Sequence, residues 1–166
     1  MAIEMLNQDA IDNQCKELTA LLTRHTDGKG DGVHKTDIDQ LEFARESAVS
    51  AALPVLCQPI LGIIIQGKKE ALLGEETYRY DAAQYIVISV DLPLCGFVVE
   101  ATPDKPYLGF KLNLDPRQLC DIIAQTSPSA RQKEDSVRGL LVSLIAPSSN
   151  DVSAVLTNKP LTESSF

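Results

Sequence analysis

Histidine is almost missing from this chain: His25 and His34 are the only two in 166 residues, and both precede its strand-rich stretch. A metal centre built on barrel strands needs two or three imidazoles among those strands, so metal-dependent barrel chemistry is excluded. Positive charge is also in deficit, with 15 Lys and Arg against 23 Asp and Glu, a net charge of −8 and a pI of about 4.7. A chain so charged repels phosphate backbones, which argues against direct nucleic-acid binding by these residues. The four cysteines, Cys15, Cys57, Cys95 and Cys120, form no CxxC pair and lack the density of a secreted disulfide scaffold, so free thiols in a reducing cytosol are expected. The opening residues carry acids early, with neither a basic segment nor an apolar one, and no export signal is expected. No apolar run approaches the ~18 residues of a membrane span. A soluble, cytoplasmic protein is the expectation, of a length that suits one domain burying about 68–70% of its unfolded surface.

Catalytic signatures are absent too. Asp27-Gly28-Lys29-Gly30-Asp31-Gly32 echoes a calcium loop, but Lys29 stands at a ligand position and Ile38 where the bidentate Glu belongs, so the segment reads as a flexible turn. Gly67-Lys68-Lys69 has neither the earlier glycine nor the following hydroxyl of a phosphate loop, and its lysines read as solvated charges at a strand end. There is no G-x-S-x-G elbow and no cysteine near a histidine in a structured segment. No catalytic residue, metal or cofactor is expected.

What the chain has is a ladder of short apolar runs. From Pro59 to Asp115 each run is four to eight residues long and is punctuated by Gly, Pro or Asp, a spacing that suits antiparallel strands in a sandwich or barrel and leaves no room for helical crossovers. Leu41 to Arg45 reads as a half-exposed strand, Pro54 to Pro59 as an extended segment, and the barrel proper is expected to begin at Ile60. Gly74-Glu75-Glu76 forms a hairpin connection that places Tyr78 and Tyr80 on one face. Leu108, Phe110, Leu112 and Leu114 alternate with Gly109, Lys111 and Asn113, which assigns the leucines and Phe110 to the core. Ahead of the ladder, Ile3, Leu6, Ile11, Leu18, Leu21 and Leu22 predict an amphipathic helix over residues 3–24, followed by a Gly-rich arm. After it, Asp115-Pro116 starts a second helix with Leu119, Ile122 and Ile123 as its stripe. A last apolar run spans Gly139 to Ile145, and Pro147 to Phe166 reads as a polar tail.

A small barrel can hold one ligand in its mouth, between apolar walls with a few polar handles. Tyr78, Tyr80, Tyr85, Ser89, Phe97 and Phe110 are candidate lining residues if their faces point inward; the alternative is that the aromatics fill the core. Cys95, beside Gly96 at a strand start, is either an electrophile-sensing thiol or a small inert hydrophobe.

The string Gln66-Gly67-x-Lys69, Leu73-Gly74, Tyr78-x-Tyr80, Tyr85, Leu92-Pro93, Ala101-x-Pro103, Pro106-x-Leu108 and Asp115 resembles the N-terminal domain of AraC-type transcriptional regulators over roughly residues 36–145. The resemblance implies a cupin-like antiparallel β-barrel, a double-stranded β-helix, that senses a small-molecule effector without metal and dimerises. In that family a separate helix-turn-helix domain reads DNA, and nothing here supplies a basic recognition helix. The division expected is then residues 1–35 as helix and Gly-rich arm, 36–146 as effector-binding barrel with helix 115–125, and 147–166 as a truncated linker. Partners would be the effector and a second copy or a full-length relative, with DNA reached only through a domain missing from the chain and with no membrane contact. Helix 115–125 is either the dimer surface or a lid on the barrel. The other function class left open is a small metal-free cupin-like enzyme or binding protein for a carbonyl or sugar-like ligand.

Overall fold

The computed structural model describes residues 2–118 and 140–144, with backbone alone for residues 2–8, 141, 143 and 144. Among the described residues one long helix, α1 (Ala2–Thr26), precedes ten strands. They are β1 (Gly32–Lys35), β2 (Leu41–Glu46), β3 (Leu53–Cys57), β4 (Ile60–Gln66), β5 (Lys68–Leu73), β6 (Glu76–Asp81), β7 (Gln84–Ile88), β8 (Leu92–Glu100), β9 (Tyr107–Asn113) and β10 (Leu140–Leu144). Two antiparallel sheets result, a six-stranded one in the order β1-β2-β9-β4-β7-β10 and a four-stranded one in the order β3-β8-β5-β6. The strands therefore begin well before Ile60, and β1 lies in the Gly-rich stretch expected to be an arm.

Six connections carry the chain between the two sheets, and two of them turn on a residue with a left-handed backbone. Between β4 and β5 the only residue is Gly67, at φ 85°, in the left-handed region that glycine alone enters without strain. A Cβ there would meet the Glu100 carbonyl oxygen at 2.6 Å and Tyr107 Cα at 3.0 Å. The return from β6 to β7 is made by Ala82-Ala83, with Ala83 at φ 65° donating its amide to the Ile64 carbonyl, while the Gln84 side chain accepts from the Asp81 amide. Gly74, at φ 62°, opens the two-residue β5–β6 hairpin as expected.

Packing divides into two clusters on opposite faces of the six-stranded sheet. Between the sheets lie Ile64, Ala71, Tyr80, Ile86, Ile88, Leu94, Val98, Tyr107 and Val142. On the far face, Leu18 and Leu22 of α1 pack over Phe43, Ile63, Ile65, Leu108 and Phe110. The helix expected at residues 3–24 is thus present, but Leu21 is 53% exposed and Leu22 carries the contact. The helix ends where Thr26 turns its hydroxyl back onto the Leu22 carbonyl at 2.8 Å and accepts the Lys29 amide, with Gly28 at φ 69°. The alternation read in β9 is real, and Leu108 and Phe110 are core residues as expected, in the cluster beneath the helix and not in the one between the sheets. Leu108 and Phe110 face the helix, while Tyr107, Gly109 and Lys111 face the other sheet.

After β9, Asp115 accepts the Arg117 amide at 2.8 Å as residues 116–118 enter a helical turn, which is the capped start that Asp115-Pro116 predicts. The rest of helix 115–125 and the tail from 147 lie outside the described residues. The apolar run from Gly139 supplies β10, paired antiparallel with β7.

Candidate functional site

The family-like motifs meet at the Gly67 corner. Gln66 donates from Nε2 to the Pro106 carbonyl at 2.8 Å, and Gly67 lies against the Tyr107 backbone, so Gln66-Gly67-x-Lys69 and Pro106-Tyr107-Leu108 dock on each other. One consequence is that β5 starts with Lys68 turned out and Lys69 turned in. Lys68 pairs with Glu100 at 2.9 Å, both about half exposed. Lys69 stands opposite Tyr80 and Val98 in the ladder, and both of those are core residues.

Lys69 therefore extends into the space between the sheets. Its ammonium lies 5.8 Å from the centroid of the Tyr107 ring, a favourable placement over the π face. Its stem crosses Gly96, where a Cβ would sit 3.4 Å from Lys69 Cε and 3.8 Å from Nζ. Burial pushes the ammonium below its ordinary pKa, the repulsion of Lys111 adds to this, and Cys57 and Glu46 oppose it. The expectation that Lys68 and Lys69 are both solvated holds for Lys68 alone.

Around Lys69 the inner faces carry further polar groups. Lys111 reaches Glu42 at 2.7 Å, and this hydrogen-bonded pair holds the Glu42 carboxyl below its usual range. Glu46, opposite Tyr107 in the ladder, is pushed up mainly by burial. Cys57, on the inward phase of β3, has its thiol raised by burial, so it is not an activated nucleophile. Tyr80 and Tyr107 are 6% exposed each, and burial raises both phenols far above the ordinary value. Small residues sit at several inward positions, Ala44, Gly62 and Gly109 on one sheet and Ala71 and Gly96 on the other.

Of the six residues named from the sequence, the structure brings two together. Tyr80 is in the core between the sheets and Tyr78 packs beside it, donating its hydroxyl to Glu76 Oε2 at 2.7 Å. Tyr85 pairs with Ile63 and so takes the outer face; Phe110 packs against α1; Phe97 pairs with Glu70 on the outer face of the smaller sheet. Ser89 lies exposed beyond the end of β7. The reason is phase: along a strand consecutive residues alternate faces, and an aromatic residue on the outer face finds its own cover. Cys95 is on the outer phase of β8, whereas Cys57 is the thiol turned inward. Sequence reasoning missed Tyr107, Lys111, Glu42 and Glu46 as interior groups, and the signal available was the alternation in β2 and β9.

The Gly-rich turn is held by Asp31. Asp31 accepts from the Ser47 amide at 2.9 Å and the Ser47 hydroxyl at 2.7 Å, bonds that lower its carboxyl, and tie β1 to the end of β2. Among the described residues no group of three or more His, Cys, Asp or Glu side chains could hold a metal ion.

A family model described as the AraC-type transcriptional regulator N-terminus matches residues 37–158. The chain belongs to this family. No curated protein matches the chain in sequence. Among solved structures, it is similar to ToxT of Vibrio cholerae, solved with (E)-4-(8-methylnaphthalen-1-yl)but-3-enoic acid, at 12% identity and a TM-score of 0.43 over 69% of this chain and 45% of that one. It is similar to YhaK of Escherichia coli at 15% identity and a TM-score of 0.37, over 69% of this chain and 49% of that one. The CENP-C cupin domain of Drosophila melanogaster matches at 13% identity and a TM-score of 0.36, over 51% of this chain and 71% of that one. The chain thus spans about half the length of the ToxT and YhaK chains. The fold is an antiparallel arrangement of two sheets with a leading helix and a helical turn after β9. Among the described residues, no helix is long and apolar enough to cross a membrane.

Proposed function

We propose that the chain is the effector-sensing module of an AraC-type transcriptional regulator, with the space between its two sheets as the effector site. The observation that carries this reading is the family match across residues 37–158, which covers nearly every strand. The interior supports it physically. A domain with only a structural role has no use for a lysine, an ion pair and a second carboxylate turned toward its core, since burying such groups costs free energy that apolar side chains avoid. Tyr78 and Tyr80 belong to the proposed site, and Tyr85, Ser89, Phe97 and Phe110 do not, because of where they sit. No catalytic residue is assigned, and the protein is a cytoplasmic sensor in this reading.

Pairing with a second copy, or with a longer relative that carries the DNA-binding domain, is the output side of the same proposal. The β3 edge supports it: Leu53, Val55 and Leu56 are 65%, 54% and 69% exposed, an apolar edge of the kind that sheets ordinarily cover. The test is native mass spectrometry of the purified chain together with thermal unfolding against a small-metabolite library. A dimer whose Tm rises with a bound organic molecule is expected. A monomer that no small molecule stabilises overturns the reading.

A further inference from the structure

We propose that the ligand held between the sheets carries a carboxylate, and that Lys69 supplies its counter-ion. This deepens the effector-sensing reading and rests on it. The register fixes the direction of Lys69, because its ladder partners Tyr80 and Val98 are both buried between the sheets. Room for the side chain comes from Gly96, over which the stem lies. Among the described residues no carboxylate stands within ion-pairing distance of its ammonium: Glu42 is engaged by Lys111, Glu100 by Lys68 and Glu70 by Arg79. The Tyr107 ring lies 5.8 Å from the ammonium and attracts a cation without neutralising it.

A mostly buried ammonium without an anion is an incomplete arrangement, since desolvation is offset only when the charge is paired and hydrogen-bonded. A ligand anion completes it. The chemistry of the surroundings narrows the class. One free ammonium is a point charge, matched by one negative charge, and it lacks the bidentate geometry with which a guanidinium fork grips a phosphate. Ile64, Ile86, Leu94 and Val98 form apolar walls, so the rest of the ligand is an apolar body. The small inward residues Gly62 and Gly109 let the Ile86 side chain and the Tyr107 phenol lie over them. Cys57 and Glu46 draw on the same ammonium through space, and the Glu46 carboxyl is itself raised by burial.

The test uses the whole chain and three probes of increasing length, benzoate, 4-phenylbutyrate and octanoate, each beside its primary amide, with binding read by calorimetry and thermal shift. At least one acid is expected to bind and to raise Tm, with its amide bound at least tenfold more weakly. Lys69→Met is expected to abolish the difference between acid and amide, Lys69→Arg to keep part of it, and Lys68→Met, on the outer face, to leave it unchanged. If Lys69→Met does not fold, the acid-to-amide ratio in the unaltered chain and in Lys69→Arg decides alone. Amides that bind as tightly as acids overturn the role of Lys69 while leaving the interior site standing. Binding of neutral sugars or phosphate esters, with no response to any acid, overturns the carboxylate class and keeps the sensor reading. No response to any small molecule overturns both.

Discussion

Two corner residues share a left-handed backbone and differ in how well their side chains tolerate it. Gly67 at φ 85° has the Glu100 carbonyl 2.6 Å from where a Cβ would lie, so the corner accepts neither the conformation nor the volume of another residue. Ala83 at φ 65° already carries a Cβ in a region that costs L-residues roughly 1–2 kcal/mol. Opposite outcomes are expected in urea unfolding. Gly67→Ala loses at least ~2 kcal/mol, combining the backbone cost with displacement of β9, whereas Ala83→Gly is neutral or gains up to about 1 kcal/mol. A Gly67→Ala protein of unchanged stability would show that the corner can relax. Gly74 was legible in the sequence as a turn residue, because glycine before a strand-like run has few other uses. Lys69 was not: two adjacent lysines at a strand end look solvated, and only the corner at Gly67 decides which of the two turns inward.

Among the elements, α1 determines which face of the larger sheet is the outside. Leu22, 2% exposed, is the side chain through which the helix closes on Ile65 and Leu108, and His25 stacks edge-on against Phe43 with ring centroids 4.8 Å apart. Truncation of a buried leucine costs about 2–5 kcal/mol, so Leu22→Ala is expected to lower stability by that order. Leu21→Ala, at a position 53% exposed, stays within about 0.5 kcal/mol. Equal effects in thermal unfolding would mean that the helix does not rest on the sheet through Leu22. The same helix explains which of the two cores the apolar face of β9 serves. Alternation reveals that a strand has two faces, and the apolar one is ordinarily assigned to the core between sheets. Here Leu108 and Phe110 are apolar because α1 covers them, while the inner face carries Tyr107, Gly109 and Lys111. A binary pattern cannot identify an interior built from polar and small residues, which is why Tyr78 and Tyr80 were the named residues found inside. The strand spacing, hairpin and helix start were legible because each depends on local turn and cap chemistry.

At the scale of the whole molecule the ionisable groups set opposite slopes at the two ends of the pH range. Asp31 is lowered by bonds from Ser47, Glu42 by Lys111 and Glu100 by Lys68, so in acid the unfolded chain binds protons that the folded chain refuses. Their stabilisation is present above the ordinary carboxylate range and is lost as pH falls through it; Glu46, raised by burial, offsets part of that loss. In alkali the signs divide. Lys69, lowered by burial, gives up its proton in the folded state while the unfolded chain still holds one, so its contribution rises with pH. Tyr80 and Tyr107 are raised by burial, keep their protons when folded and lose them when unfolded above pH ~10, so their contribution falls with pH. Two buried phenols against one lysine make the net alkaline slope downward above that point. An alkaline titration followed at once by tyrosinate absorbance and far-UV circular dichroism is therefore expected to show a tyrosinate step coincident with loss of strand signal. Tyr80→Phe should shrink that step and move the transition to higher pH. A tyrosinate signal that completes its rise while the strand signal stands would mean that water reaches both phenols, and that the space between the sheets is open rather than enclosed.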